Sequence, residues 1–143
     1  MSNKKNGSKF EKDLCQKLFD NGIWARLEYP AEDGSQPFDV KAFYRQVPYI
    51  FECKDCKNGY FDLNSVEDNQ LLALDLLSNN ILDCNIMFAF QFNERWLFVE
   101  ASEIIYQVKY GKKKKLKEDE IASMWGVMDF KELTNWIKSK GEW

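Results

Sequence analysis

The sequence predicts a mixed α/β fold in which helices flank a central sheet. Amphipathic helical patterns occur near both ends and in the middle of the chain, and two pairs of apolar, alternating segments are each joined by a short turn. The 143 residues are 45% apolar and 15% aromatic, which is enough to build a substantial core. The order helix, three strands, helix, two strands and further helices is typical of layered α/β proteins. We expect one domain over residues 1–143, with residues 1–7 disordered.

Charge and composition exclude several kinds of chemistry. The chain has no histidine, so no mechanism can use an imidazole base, a Ser-His-Asp relay or a histidine-rich metal site. Catalysis must rely on carboxylates, amines or a metal ion held by oxygen atoms. The formal net charge of −3 argues against nucleic-acid binding driven by bulk charge, although a local basic face remains compatible with it.

The cysteine pattern favours free thiols over disulfides or zinc. Without a signal peptide or an apolar run long enough to span a bilayer, we expect a soluble, cytoplasmic protein that does not contact membranes, in which thiols stay reduced. The Cys53-x-x-Cys56 pair is half of a zinc motif, and the other two cysteines stand alone. Those two are Cys15 and Cys84.

The first predicted helix covers about residues 9–21. Ser8 is suited to cap its start, and Gly22 is suited to end it. Glu11 lies on the stripe that should pack inward, together with Leu14, Cys15 and Leu18. Glu11 could therefore point into a functional site, or it could simply complement the helix dipole while remaining hydrated.

Three strands follow, at about residues 23–29, 38–43 and 49–54. Turn-forming residues make 30–37 a loop that leads directly to Asp39. The linker 45–48 is short enough for a hairpin, which would bring Asp39 beside Glu52 on the neighbouring strand.

Two charges in the third strand point to chemistry. Side chains alternate along a strand, so Glu52 and Lys54 share one face while Phe51 and Cys53 share the other. With Asp39 across the hairpin, the sequence predicts a site of two carboxylates and one ammonium.

A second helix is predicted after a polar connection at residues 55–64. Ser65 and Asp68 resemble a capping box, and the helix should end near Asn79 or Asn80. Gln70 falls on its apolar face, either as an amide bonded to a strand end or as part of the site.

The last third of the chain predicts a hairpin, a helix, a basic run and a final helix. Segments 85–92 and 95–100 form the hairpin, and Ser102 should cap a helix that stops before Gly111. The final helix should be capped by Asp129, have Phe130, Leu133, Trp136 and Ile137 inward, and end at Gly141. The basic run most resembles a solvated loop, with phosphate contact as the alternative. It comprises Lys112, Lys113, Lys114, Lys115 and Lys117.

The predicted site favours metal-assisted hydrolysis of a phosphodiester. Carboxylates such as Asp39 and Glu52 suit Mg²⁺ or Mn²⁺, and the backbone carbonyl of Cys53 could complete the ligand set. Lys54 could orient or deprotonate water or neutralise charge on the phosphorane. Glu11 could hold water or a second metal, and Gln70 could position phosphate or Lys54.

These residues resemble the signature of the PD-(D/E)xK nuclease superfamily. Pro37-Phe38-Asp39 matches its first half and Glu52-Cys53-Lys54 its second, with Glu11 and Gln70 where helix-borne accessory residues often occur. Within the superfamily the chain most resembles Holliday junction resolvases of the RecU and archaeal Hjc type. Further similarities are residues 49–58 and the stretch Tyr110-Gly111-Lys112-Lys113, so that the resemblance covers roughly residues 8–117.

The resemblance implies a restriction-endonuclease-like αβββαβ core and a Mg²⁺-dependent endonuclease, with Mn²⁺ able to substitute. It also implies a homodimer that cuts branched double-stranded DNA in recombination and repair, without a small-molecule cofactor. The protein would be cytoplasmic and encoded by a bacterium or a phage. DNA contacts are then expected at Lys4, Lys5, Ser8, Lys9, Arg26, Ser35 and Lys57.

Three other interpretations remain open. Asp39, Glu52 and Lys54 could form only an ion-pair network at a strand end, but exposed networks of that kind contribute little stability. A duplex, flap or restriction-like endonuclease of the same superfamily is a second possibility. A catalytically inert DNA-binding module is a third, although such a protein would be expected to lose one of the three charged residues.

Overall fold

A computed structural model describes residues 8–28 and 38–140 of the chain. In chain order the helices and strands are α1 (Lys9–Asp20), β1 (Trp24–Leu27), β2 (Val40–Tyr44), β3 (Val47–Asp55), β4 (Tyr60–Asp62), α2 (Asp68–Ser78), β5 (Ile86–Phe92), β6 (Arg95–Glu100), α3 (Ala101–Tyr110), β7 (Lys115–Lys117), α4 (Glu118–Ala122) and α5 (Phe130–Lys140). Five of the strands form one sheet in the order β1-β2-β3-β5-β6. Neighbours are antiparallel except β3 and β5, which run parallel because the chain crosses over through α2. This mixed sheet with flanking helices confirms the predicted fold class.

The β2–β3 hairpin forms as predicted, with a shorter turn. Arg45 and Gln46 have φ angles of 49° and 71°, the positive values that a two-residue turn of type I′ requires. Val47 and Pro48 belong to β3 rather than to the turn. Proline is tolerated there because the pairing of β3 with β5 begins only at Ile50.

Each face of the sheet carries its own hydrophobic core. One face packs against α1 and α5, with Leu14, Phe51 and Ile137 fully buried. The other packs against α2, α3 and α4, with Phe88 and Ile104 at its centre. Because β3 and β5 are covered on both sides, they read as nearly continuous apolar runs, and a charge inside β3 is therefore unusual.

The start of α2 differs from the prediction. Ser65 ends a short 3₁₀ turn, where its hydroxyl donates to the Asp62 carbonyl at 2.6 Å. The capping box is formed two residues later, by Glu67 and Gln70, and the helix begins at Asp68. The predicted box of Ser65 with Asp68 was wrong, because the Ser65 hydroxyl found a nearer acceptor.

The predicted cap of α3 was wrong, whereas the predicted cap of α5 was confirmed. Ser102 lies inside α3 and its hydroxyl bonds to the Glu100 side chain, so the predicted cap at Ser102 was wrong. Asp129 accepts the Glu132 N–H at 2.8 Å, and Glu132 accepts the Asp129 N–H at 3.0 Å, which confirms the predicted cap of α5. Gly141, the predicted end of α5, lies outside the described residues.

Two predicted coil segments form a second, two-stranded sheet. Strands β4 and β7 pair antiparallel, with Phe61 opposite Leu116. Residues 55–64 and the lysine run were both predicted as connections, and that prediction was wrong for these strands. Each strand has three residues, too few for an alternating pattern to stand out, and the pairing joins segments more than 50 residues apart.

Two negative findings complete the fold. No helix in residues 8–28 and 38–140 is both long and apolar enough to cross a bilayer. The four cysteines are free thiols, as predicted.

Candidate active site

The candidate site lies where β2 and β3 separate. The Asp39 N–H donates to the Phe51 carbonyl at 3.0 Å, one residue before β2 begins. One step further, the Cys53 N–H donates to Asp39 Oδ2 at 2.8 Å. A side-chain oxygen thus replaces the backbone acceptor, which holds the Asp39 carboxylate in the gap. Since the N–H and C=O of one strand residue point to the same neighbour, the Cys53 carbonyl also faces this gap.

Glu52 is the buried centre of the site. Its side chain is 4% exposed, although it is an acid in the middle strand of the sheet. Its Oε2 atom lies 3.3 Å from Lys54 Nζ and accepts a hydrogen bond from Gln70 Nε2 at 2.5 Å. Its Oε1 atom is buried and accepts no hydrogen bond from any described residue. Burial of an acceptor in this way costs free energy unless a ligand satisfies it.

Gln70 connects the site to the start of α2. Its Oε1 accepts the Glu67 N–H at 3.2 Å as part of the capping box, and its Nε2 donates to Glu52. Both polar ends of the amide are therefore used. The predicted bond to a strand end is replaced by a bond to Glu52, which lies within β3, and Gln70 also lines the pocket of the candidate site.

The pKa values of two acids in the site are raised by burial and by the charge of Asp39. Burial, and then the nearby Asp39 charge, raise the pKa of Glu52 to about 8, although Lys54 acts in the opposite direction. Burial raises the pKa of Glu11 as well, again with Asp39 as the second cause. Glu11 therefore faces the site rather than open solvent. Two acids with raised pKa values beside the charge of Asp39 form an environment that favours a bound cation.

A pocket of about 210 Å³ brings the predicted residues together. Glu11, Asp39, Glu52, Cys53, Lys54 and Gln70 all line it. The sequence reasoning missed two further lining residues, Ser65 and Glu67. Glu67 and Gln70 have the spacing of a capping box, but glutamate is not one of the preferred N-cap residues, so the sequence signal for Glu67 is weak.

Four of the seven predicted DNA-contacting residues lie in the described part of the chain, and all four are exposed. Lys9 pairs with Asp13 at 2.8 Å, Arg26 with Glu28 at 3.2 Å, and Lys57 with Asp55 at 3.9 Å. Ser8 caps α1 by accepting the Glu11 N–H. Lys4, Lys5 and Ser35 lie outside the described residues.

The donor set suits a hard divalent cation. Within residues 8–28 and 38–140, no three His, Cys, Asp or Glu side chains are grouped closely enough to hold a metal by themselves. Mg²⁺ is usually bound through one or two carboxylates, with waters and substrate phosphates filling the other positions. Asp39 and Glu52, with the unsatisfied Oε1 of Glu52 and the Cys53 carbonyl, fit that smaller requirement.

Comparisons with known proteins identify the family and a similar fold. Residues 33–138 match the family model described as RecU, recombination protein U. Among solved structures, the chain is similar to Hjc from Archaeoglobus fulgidus, a Holliday junction resolvase from an archaeal hyperthermophile, with a TM-score of 0.63 and 19% identity. That alignment covers 90% of this chain and 99% of Hjc, and at this identity it shows a shared fold. A search of curated proteins gave no match.

Proposed function

The chain belongs to the RecU family of Holliday junction resolvases, which are metal-dependent endonucleases of recombination, and from this premise we propose that Asp39, Glu52 and Lys54 form its active site. The proposed reaction is the hydrolysis of a phosphodiester bond in branched double-stranded DNA. Water forms a bond to phosphorus, and one P–O ester bond breaks, leaving a phosphate end and a hydroxyl end.

The observation that carries this proposal is the buried Glu52 carboxylate. It lies beside a second carboxylate, an ammonium group and an amide, and its Oε1 accepts no bond from the described residues. A purely structural ion pair would satisfy both oxygens or stay exposed, because a buried, half-satisfied acid destabilises the fold. We therefore interpret the arrangement as a site prepared for a ligand.

Each side chain has a distinct task in the proposed reaction. Asp39 and Glu52, with the Cys53 carbonyl, would hold Mg²⁺, for which Mn²⁺ could substitute. The bound ion would supply Lewis acidity at a phosphoryl oxygen and offset the charge of the carboxylates. Lys54, with its ammonium group 3.3 Å from Glu52, orients water or neutralises the charge that develops on the phosphorane.

Two residues position the others. Gln70 fixes the Glu52 carboxylate through its 2.5 Å hydrogen bond. Glu11 adds a third acid close to Asp39, where it can orient water or help to hold a second ion. A homodimer follows from the reaction, since resolving a four-way junction requires two strands to be cut by two copies of one site.

The first test compares cleavage of a four-way junction, a flap, a duplex and single-stranded DNA at equal concentration, in Mg²⁺ and in EDTA. We expect the wild-type protein to cut the junction in Mg²⁺ and not in EDTA. Asp39→Asn should lower the rate at least about 100-fold, because it removes a ligand and the charge that attracts the ion. Lys54→Ala should reduce the rate more than it weakens DNA binding.

Asp20→Asn is the matched control. Asp20 is an exposed acid at the end of α1, where asparagine can still accept the hydrogen bond from Gln16, so cleavage should be unchanged. If Asp39→Asn kept its cleavage activity, the assignment of the active site to Asp39, Glu52 and Lys54 would be wrong. Equal cutting of duplex or flap DNA would identify a nuclease without junction preference, and binding without any cutting would identify an inert DNA-binding module.

A further inference from the structure

The end of the lysine run, Lys115–Lys117, forms one strand of a basic ribbon on the surface. We define the basic ribbon as strands β4 and β7 together with Lys113 and Lys114. Lys115 and Lys117 point outward, whereas Leu116 between them is 4% exposed. Alternation along a strand places both ammonium groups on the same outer face.

The inner face of the basic ribbon fixes its position on the molecule. The Phe61 ring lies 4.9 Å from the Phe90 ring of β5, and Leu116 belongs to the same hydrophobic core. The Leu63 N–H donates to the Lys114 carbonyl at 2.9 Å, which extends the pairing beyond the strands. The lysines therefore stand on a packed platform, and less conformational entropy is lost on binding than in a flexible loop.

A surface pocket of about 410 Å³ lies over the basic ribbon. Its lining includes three lysines, 113, 115 and 117, and one acid, Glu120. Glu120 is paired with Lys113 and also attracts Lys117, but among the described residues neither Lys115 nor Lys117 has an acid within ion-pair distance, so both ammonium groups can reach a ligand. The Lys115 ammonium lies 4.3 Å above the Tyr60 ring, which holds its position without neutralising it.

Few residues separate the basic ribbon from the active-site pocket, which limits the distance between them. Asp62 pairs with Lys115 in register, and Ser65, three residues after Asp62, lines the active-site pocket. Three extended residues span at most about 11 Å, and paired strands are about 5 Å apart. Lys115 is therefore within roughly 16 Å of the pocket rim, a distance that corresponds to about five base pairs of a DNA duplex.

Resting on the proposed nuclease function, we propose that the basic ribbon binds the phosphate backbone of a DNA arm next to the scissile bond. The chain carries a net charge of −3, so a DNA arm would be attracted to this local surface rather than to the protein as a whole. Lysine contacts to phosphates position a duplex and carry no sequence information. The basic ribbon would thus set the register of the arm while Asp39, Glu52 and Lys54 act on it.

The test measures binding of a fluorescent four-way junction by anisotropy in EDTA, from about 50 to about 200 mM KCl. Lys115→Gln/Lys117→Gln should weaken binding about 10- to 60-fold near 0.1 M salt and lower the slope of log K against log[salt] by about 2, as expected for two lost phosphate contacts. Glu120→Gln should tighten binding about 2- to 8-fold, because it releases Lys113 while keeping an acceptor for the Lys117 N–H.

The matched control is Lys131→Gln/Lys138→Gln. These two lysines lie on α5, which packs on the face of the sheet opposite the basic ribbon. The two substitutions remove the same total charge as Lys115→Gln/Lys117→Gln. The control should bind with the affinity and salt slope of the wild type. Circular dichroism melting checks that every variant is folded.

The outcomes separate this proposal from the nuclease proposal. If the basic-ribbon variant binds like the control while the wild type cuts junctions in Mg²⁺, the basic ribbon does not contact DNA and the nuclease function stands. A second outcome is that the wild type cuts nothing, while Lys115→Gln/Lys117→Gln binds the junction more weakly and with a smaller salt slope. In that case the basic ribbon is a DNA-binding surface and the nuclease function is wrong.

Discussion

At the scale of single residues, Glu52 is the strongest mark of function. It is an acid 3% exposed in the central sheet, and its pKa is raised to about 8 by burial and by Asp39. A fold selected for stability alone would place an apolar residue there. The cost of keeping this carboxylate without a cation should therefore be measurable.

Glu52→Gln should stabilise the metal-free protein at pH 8. A raised pKa means that the folded state holds a proton which the unfolded state releases near pH 4.5, so this contribution to stability is present below that pH and is lost as pH rises towards 8. Glutamine is neutral at every pH and removes the loss. We expect the Tm in EDTA to rise by about 2–6 °C at pH 8 and to be nearly unchanged at pH 4.5.

A second experiment measures the effect of Mg²⁺ on the Tm at pH 8. The wild type should gain Tm on addition of the ion, and Glu52→Gln should not. Glu94→Gln, at an exposed position in the β5–β6 turn, is the control: its Tm in EDTA and its gain in Tm with Mg²⁺ should equal those of the wild type. An equal response of wild type and Glu52→Gln to Mg²⁺ would mean that Glu52 does not take part in binding it.

At the scale of elements, the first turn of α2 is part of the candidate active site. Gln70 caps the helix through one end of its amide and holds Glu52 through the other. Stability of the helix and geometry of the carboxylate therefore depend on a single side chain.

Gln70→Ala should affect both stability and rate. Loss of the reciprocal cap and of the bond to Glu52 should lower the free energy of unfolding by about 1–2 kcal/mol, measured by urea titration. Cleavage of the junction should slow about 10-fold while DNA affinity changes little, since Gln70 positions a ligand rather than binding DNA. Asn69→Ala, at an exposed neighbouring position in the same turn, should change neither the free energy of unfolding nor the cleavage rate. Equal losses in Asn69→Ala would mean that Gln70 acts only through the stability of the helix.

At the scale of the whole molecule, the sheet separates two kinds of surface. The basic ribbon and α2 lie on one face, with the helices α1 and α5 on the other. Asp39 and Glu52 occupy the open end between two strands, where groups from both faces converge: Glu11 comes from α1 and Gln70 from α2. Both layers must therefore be assembled before the site exists.

Two such sites are expected to work together. The chain has a mass of 16.9 kDa, and sedimentation velocity should give about twice that value at concentrations where junctions are cut. Cleavage should then produce paired nicks placed symmetrically across the junction. A single-chain mass under conditions that give paired nicks would contradict the proposed homodimer.

Much of the fold and of the candidate site could be predicted from the sequence because these features have local signals. Alternation in β3 placed Glu52 and Lys54 on one face, and the short turn at Arg45 and Gln46 brought Asp39 beside them. Helical periodicity placed Glu11 on the inward stripe of α1. Each inference depended on a repeat of 2 or 3.6 residues that a single segment carries by itself.

Tertiary structure alone decided the features that join distant segments. The pairing of β4 with β7 could not be predicted, because each strand is three residues long and gains its stability from Phe61 and Leu116 packing on the sheet. The start of α2 and the partner of Gln70 depended on which acceptors lie near the polar groups in the folded chain: the Asp62 carbonyl for Ser65 and the Glu52 carboxylate for Gln70. The raised pKa of Glu52 likewise arises from burial under α2 and from Asp39 across the gap, and neither exists until the strands and helices have packed together.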